Sequence, residues 1–108
     1  MSELAAKHCE PCEGGTSALG AKEIEKLAGQ LDGWNVIEDK RLEKEYRFPD
    51  FRQALAYVNR LGEVAESEGH HPDLYLGWGK VRVELSTHSV GGLSENDFIL
   101  AAKADQVR

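Results

Sequence analysis

No apolar run in this 108-residue sequence approaches the ~20 residues that a bilayer-spanning helix requires. The opening stretch, MSELAAKHCEPCEGG, has no apolar centre of the kind a secretory signal carries. The expected location is therefore the cytoplasm, with no membrane partner. A basic patch is also wanting. The net charge is −6 and the basic residues alternate with acids, which argues against nucleic acid as a partner. Cysteine is scarce, with two residues confined to His8-Cys9-Glu10-Pro11-Cys12. Such a C-x-x-C pair can be half of a zinc site or a redox couple. No second pair completes a zinc tetrad, and Gly14-Gly15 follows where a thioredoxin-like motif needs a helix. Free thiols on a loose arm are the simplest reading. The chain is also too short for two cores, so one domain is expected.

What is present reads as alternating strands and helices. Residues 1–19 carry no periodicity and are expected to form a flexible N-terminal arm, with His8 a part of it and the folded domain spanning 20–108. A helix from about Ala21 to Leu31 follows, with Ile24, Leu27, Ala28 and Leu31 on one stripe and Gly33 as its C-terminal cap. Trp34 and Val36, then Leu42 to Phe48, read as two strands around Glu38-Asp39-Lys40. Asp50 caps a helix from Phe51 to Glu68 whose inward stripe is expected to be Phe51, Leu55, Val58, Leu61, Gly62 and Ala65. Gly69 ends it. Leu74 to Trp78 and Val81 to Leu85 form a hairpin around Gly79-Lys80. Beyond the flexible loop Ser89-Val90-Gly91-Gly92, Ser94 and Asp97 stand at capping-box spacing, with Leu93 and Phe98 as the staple. The order α-ββ-α-ββ-α predicts an α+β fold: one four-stranded antiparallel sheet with helices packed on one face.

That hairpin carries the chemistry. With Gly79-Lys80 as its loop, Trp78 falls opposite Val81, Leu74 opposite Leu85, and His71 opposite His88. Alternation then sends Leu74, Leu76, Trp78, Val81, Val83 and Leu85 to the core, and His71, Tyr75, Arg82, Glu84 and His88 to the other face. Imidazoles titrate near neutrality, so His70, His71 and His88 together suggest acid–base catalysis. A metal site and a structural cluster are the alternatives. Against a metal, adjacent His70 and His71 in an extended segment point to opposite sides, although Glu66 and Glu84 are available as further ligands. Trp78 reads as core or as a stacking surface, and Asp97 as a helix cap. Glu66, about one turn before His70, is placed to hold an imidazole.

The pattern Glu66-x3-His70-His71-Pro72-x5-Trp78-x9-His88-x8-Asp97 resembles the signature of the pterin-4a-carbinolamine dehydratase family. The Thr87-His88-Ser89 and Gly91-Gly92-Leu93 neighbourhoods and the Leu31-Asp32-Gly33-Trp34 turn fit it too, so the likeness runs from about Ala21 to Ala104. The resemblance implies dehydration of 4a-hydroxytetrahydropterin (4a-hydroxytetrahydrobiopterin) to quinonoid dihydropterin, with no metal and no organic cofactor. It implies His70, His71 and His88 as catalytic residues, with Glu66, His71, Pro72, Trp78, Thr87 and Ser89 binding the pterin. Implied partners are a second copy or three more in a homodimer or homotetramer, and a functional link to a pterin-dependent phenylalanine hydroxylase. The rival reading from the same fold is a non-catalytic dimerisation, assembly or transcriptional-cofactor module, against which the three histidines argue.

Overall fold

The computed structural model describes residues 3–9 and 18–108. After a 3-10 turn at Glu3–Ala6 come α1 (Ala21–Ala28), β1 (Asn35–Ile37), β2 (Arg41–Arg47), α2 (Phe51–Glu68), β3 (Asp73–Gly77), β4 (Lys80–Leu85), a second 3-10 turn (His88–Val90) and α3 (Glu95–Gln106). The strands form one antiparallel sheet in the order β1-β2-β4-β3. Leu42, Tyr46, Val81, Val83 and Leu85 alternate onto one face and are buried there with residues of α2 and α3. The opposite face carries Glu43, Glu45, Arg82 and Glu84 in cross-strand register. This is the expected α+β architecture.

Helix α3 lies deepest. Phe98 to Ala102 and Ala104 are all buried, which a helix enclosed on several sides requires of its sequence. At its far end Asp105 clasps it to the sheet: the carboxylate accepts from the Tyr46 hydroxyl, from Lys44 Nζ at 2.8 Å and from Trp34 Nε1 at 3.2 Å. Burial, reinforced by Tyr57 and Asp105, pushes the Tyr46 phenol far above its ordinary range.

Four expectations shift. Helix α1 stops at Ala28 with Gly29 at its cap, and Gly33, at φ 78°, serves the following turn. On α2 the buried line is Ala54, Tyr57, Leu61 and Ala65, while Phe51 and Leu55 are exposed. The helix is apolar over a wider arc than the core covers, so the stripe chosen from spacing was rotated. The β3–β4 turn is Trp78-Gly79, closed by Gly77 opposite Lys80. Gly79 is required for close approach rather than for a turn: a Cβ there would sit 2.9 Å from the Phe48 carbonyl oxygen, and Phe48 N–H donates to Gly79 O at 2.8 Å. The register therefore moves by two residues, which keeps the faces but exposes Trp78 at the tip.

The fourth concerns the N-terminus. Leu4 is buried in the core and the Glu3–Ala6 turn packs on α3. Glu68 Oε1 accepts the Cys9 N–H at 2.7 Å and Glu68 Oε2 meets His8 Nδ1 at 2.8 Å. These ties, with Lys103 at 3.6 Å, outweigh the upward push of burial and hold the Glu68 carboxyl below its ordinary range. Cys12, with the glycines expected in the arm, lies outside the described residues.

Candidate active site

Gly69 adopts the left-handed conformation (φ 65°, ψ 25°) that ends α2, and His70 N–H turns back onto Ala65 O at 3.3 Å. This cap aims the half-buried His70 ring at α3, where Nε2 meets Asp97 Oδ1 at 2.6 Å. Asp97 is wholly buried. Its Oδ2 accepts from the Ser94 N–H at 3.0 Å and from the Thr87 hydroxyl at 2.7 Å. Since Thr87 has one proton and gives it to Asp97, the Ser94 hydroxyl donates to Thr87 Oγ1 at 2.8 Å. The capping box expected at Ser94 and Asp97 is thus present, and the same carboxylate also fixes His70.

A carboxylate only accepts, so the His70 nitrogen facing Oδ1 is the N–H, and in the neutral ring Nδ1 carries the lone pair. His71 follows with its ring exposed, Nε2 2.5 Å from Glu66 Oε2. Pro72 then leads into β3.

His88 enters from the other strand. Thr87 N–H donates to Gly92 O at 2.7 Å, closing a loop over the 3-10 turn with Gly91 at φ 70°. Inside that closure Thr87 points inward to Asp97 while His88 and Ser89 are exposed. The loop read as flexible is therefore a closed turn, and His88 leaves the ladder. By continuation of the register His71 would meet Ser86, not His88. What joins the histidines is Asp97: it holds His70 on one oxygen and the residue before His88 on the other. Thr87, expected to touch the pterin, commits its hydroxyl to Asp97. Trp78 lies at the opposite end of the hairpin from the histidines. Among the described residues no group of three His, Cys, Asp or Glu is disposed to hold a metal.

The sequence profile described as pterin 4 alpha carbinolamine dehydratase matches residues 17–107. The chain belongs to that family. A pterin-4a-carbinolamine dehydratase relative from Rubrobacter xylanophilus, named provisionally as such, is 50% identical over 107 residues, covering 99% of this chain and 100% of the relative. Another, from Alkaliphilus metalliredigens and with the same provisional name, is 50% identical over 98% of this chain and 96% of its own length. Among solved dehydratase folds, a transcriptional coactivator/pterin dehydratase from Brucella melitensis superposes with TM-score 0.80 at 28% identity, over 84% of this chain and 98% of that one. A pterin dehydratase-like protein described as a RuBisCO assembly factor of the alpha-carboxysome shares the fold at TM-score 0.60 and 23% identity, over 69% of this chain and 88% of that one.

Sequence reasoning found Asp97 as a cap but missed it as the partner of His70. The available signal was its identity: aspartate at the third helical position where glutamate or glutamine is usual, ten residues after Thr87.

Proposed function

We propose that the protein dehydrates 4a-hydroxytetrahydropterins, of which 4a-hydroxytetrahydrobiopterin is the type, by histidine acid–base catalysis. The observation that carries this reading is the His70–Asp97 pair, which leaves Nδ1 of an oriented imidazole available as a base. In the reaction the N5–H proton passes to His70 Nδ1, the nitrogen lone pair forms the C4a=N5 bond, and the C4a–O bond breaks. His88 supplies the proton with which the hydroxyl departs as water. Proton exchange with solvent then resets the two rings. Asp97 stabilises the His70 imidazolium that forms, much as a buried aspartate does for a catalytic histidine elsewhere. His71, held by Glu66, binds the pterin beside Pro72 and Ser89.

Such an enzyme serves recycling of the tetrahydropterin consumed by a phenylalanine hydroxylase in the cytoplasm, and works as a homo-oligomer. The test is the decay of freshly generated 4a-hydroxytetrahydropterin, followed by absorbance against the spontaneous rate. Acceleration by the wild type that falls at least ~100-fold in His70→Ala and His88→Ala, with both variants folded, is the expected result. No acceleration by folded wild-type protein would overturn the reading in favour of a non-catalytic assembly module.

A further inference from the structure

Residues 7–9 have no part in the proposed chemistry, yet they touch both elements that carry the His70–Asp97 pair. On the α2 side, Glu68 stands two residues before His70. Its Oε1 accepts the Cys9 N–H at 2.7 Å, and its Oε2 meets His8 Nδ1 at 2.8 Å. On the α3 side, Lys7 Nζ donates to Glu95 Oε2 at 2.9 Å and Cys9 Sγ donates to Asn96 O at 3.7 Å. Glu95 and Asn96 directly precede Asp97. The three residues thus run as a strut beside the 2.6 Å His70–Asp97 contact and join the same two helix ends.

Glu68 is a costly residue for its place. Its side chain is only 6% exposed, and it is the last residue of α2, where the helix dipole disfavours a negative charge. A carboxylate withdrawn from water there carries a penalty that its partners must offset. An apolar side chain would fill the space without that penalty. What a carboxylate adds is direction: its two oxygens accept from two different donors and so fix where the segment lies against the helix end. Lys103 Nζ, 3.6 Å from Glu68 Oε2, also donates to Ala5 O at 2.9 Å, which draws α3 into the same knot. The other ties of α2 to this region of the chain lie at the far end of α3, from Tyr57 Oη to Ala104 O at 2.9 Å and from Arg60 Nε to Val107 O at 2.7 Å.

We propose that Glu68 is a positioning residue for the dehydration: by holding His8 and Cys9 it keeps the end of α2 against the start of α3, and so sets the His70–Asp97 contact. Only Gly69 separates Glu68 from His70, so a drift of the helix end passes directly to the imidazole. Misplacement of a reacting group by about 1 Å costs up to ~100-fold in rate. Glu68 spends both oxygens on the segment and acts through His70, not on substrate. The catalytic consequence rests on the dehydratase reading; the control of the His70–Asp97 contact does not.

Kinetics and proton resonance on the full chain test the proposal together. Glu68→Ala is expected to lower kcat per folded molecule at least ~10-fold, with KM within about 2-fold of the wild type. Glu68→Gln, whose amide oxygen still accepts from Cys9, should recover most of that loss. The low-field proton resonance of the His70 Nε2–H, assigned by its disappearance in His70→Ala, should shift or broaden in Glu68→Ala and return in Glu68→Gln. Should Glu68→Ala not fold, Cys9→Pro measured against Cys9→Ala removes the same N–H from the other side, and the same losses are expected. Wild-type kcat with an unmoved resonance in either folded variant overturns the proposal. Activity that falls only with the folded fraction overturns it too, as does a raised KM at unchanged kcat. A wild-type protein without dehydratase activity sinks the dehydratase reading alone, and the resonance then decides whether Glu68 sets the contact.

Discussion

Asp97 does two jobs with two oxygens. One closes the first turn of α3 and takes the Thr87 hydroxyl; the other holds His70. Replacing it by asparagine keeps an acceptor for Ser94 and Thr87 but turns an amide N–H2 towards the ring, which then has to present its lone pair at Nε2 and its proton at Nδ1. The base proposed at His70 Nδ1 would be lost with little change of shape. Asp97→Asn is therefore expected to lower kcat by ~10²–10⁴, while costing ~1–3 kcal/mol of stability for a charged buried acceptor. Steady-state rates and urea unfolding of the same preparation check both numbers. At this scale the sequence was half legible. Ser94-x-x-Asp97 announces a cap because its spacing is local. The His70 contact joins the end of one helix to the start of another, and nothing local encodes that approach.

Among the elements, α2 shows why a helix's limits are easier to read than its rotation. Its start at Asp50 and stop at Gly69 follow from residues with particular backbone habits. Its buried line does not, because Phe51 and Leu55 extend the apolar arc beyond the face the sheet covers. The hairpin differs in another way: Gly79 lies in the turn, but the approach of Phe48 is what requires a glycine there. Gly69 itself is under conformational constraint, at φ 65° with nothing near its absent Cβ. Gly69→Ala should cost ~1–2 kcal/mol through the left-handed backbone alone, and Gly69→Asn should recover part of it. Denaturant titration measures the stabilities. If alanine were neutral, the cap would not be what sets the His70 approach.

Over the whole molecule, the N-terminal segment is tied across the fold by Leu4 in the core, Lys7 on Glu95 at 2.9 Å, Lys103 on Ala5 O and Glu68 on Cys9 and His8. Nothing in the sequence warns of this, because Leu4-Ala5-Ala6 is too short an apolar run to show a period. The tie is pH-dependent in a defined direction. The folded Glu68 carboxyl titrates below its unfolded range, so the unfolded chain binds the proton more readily. The contribution is complete above the ordinary carboxylate range and is lost as pH falls through the depressed folded value. Glu68→Gln should accordingly flatten the acid limb of stability as pH falls through and below the ordinary carboxylate range. Unfolding midpoints of the two proteins across that range give the comparison, and parallel curves would assign the acid limb to other carboxylates.

The docking of Leu4 on α3 also has a consequence for synthesis. On a ribosome, Leu4 emerges long before α3, the helix that makes its socket. The sheet and α2 can begin to assemble while the chain grows, but they must do so without the helix that fills their interior. The native core is therefore completed only once α3 has emerged, when Leu4 and a helix far from it in sequence close on one another.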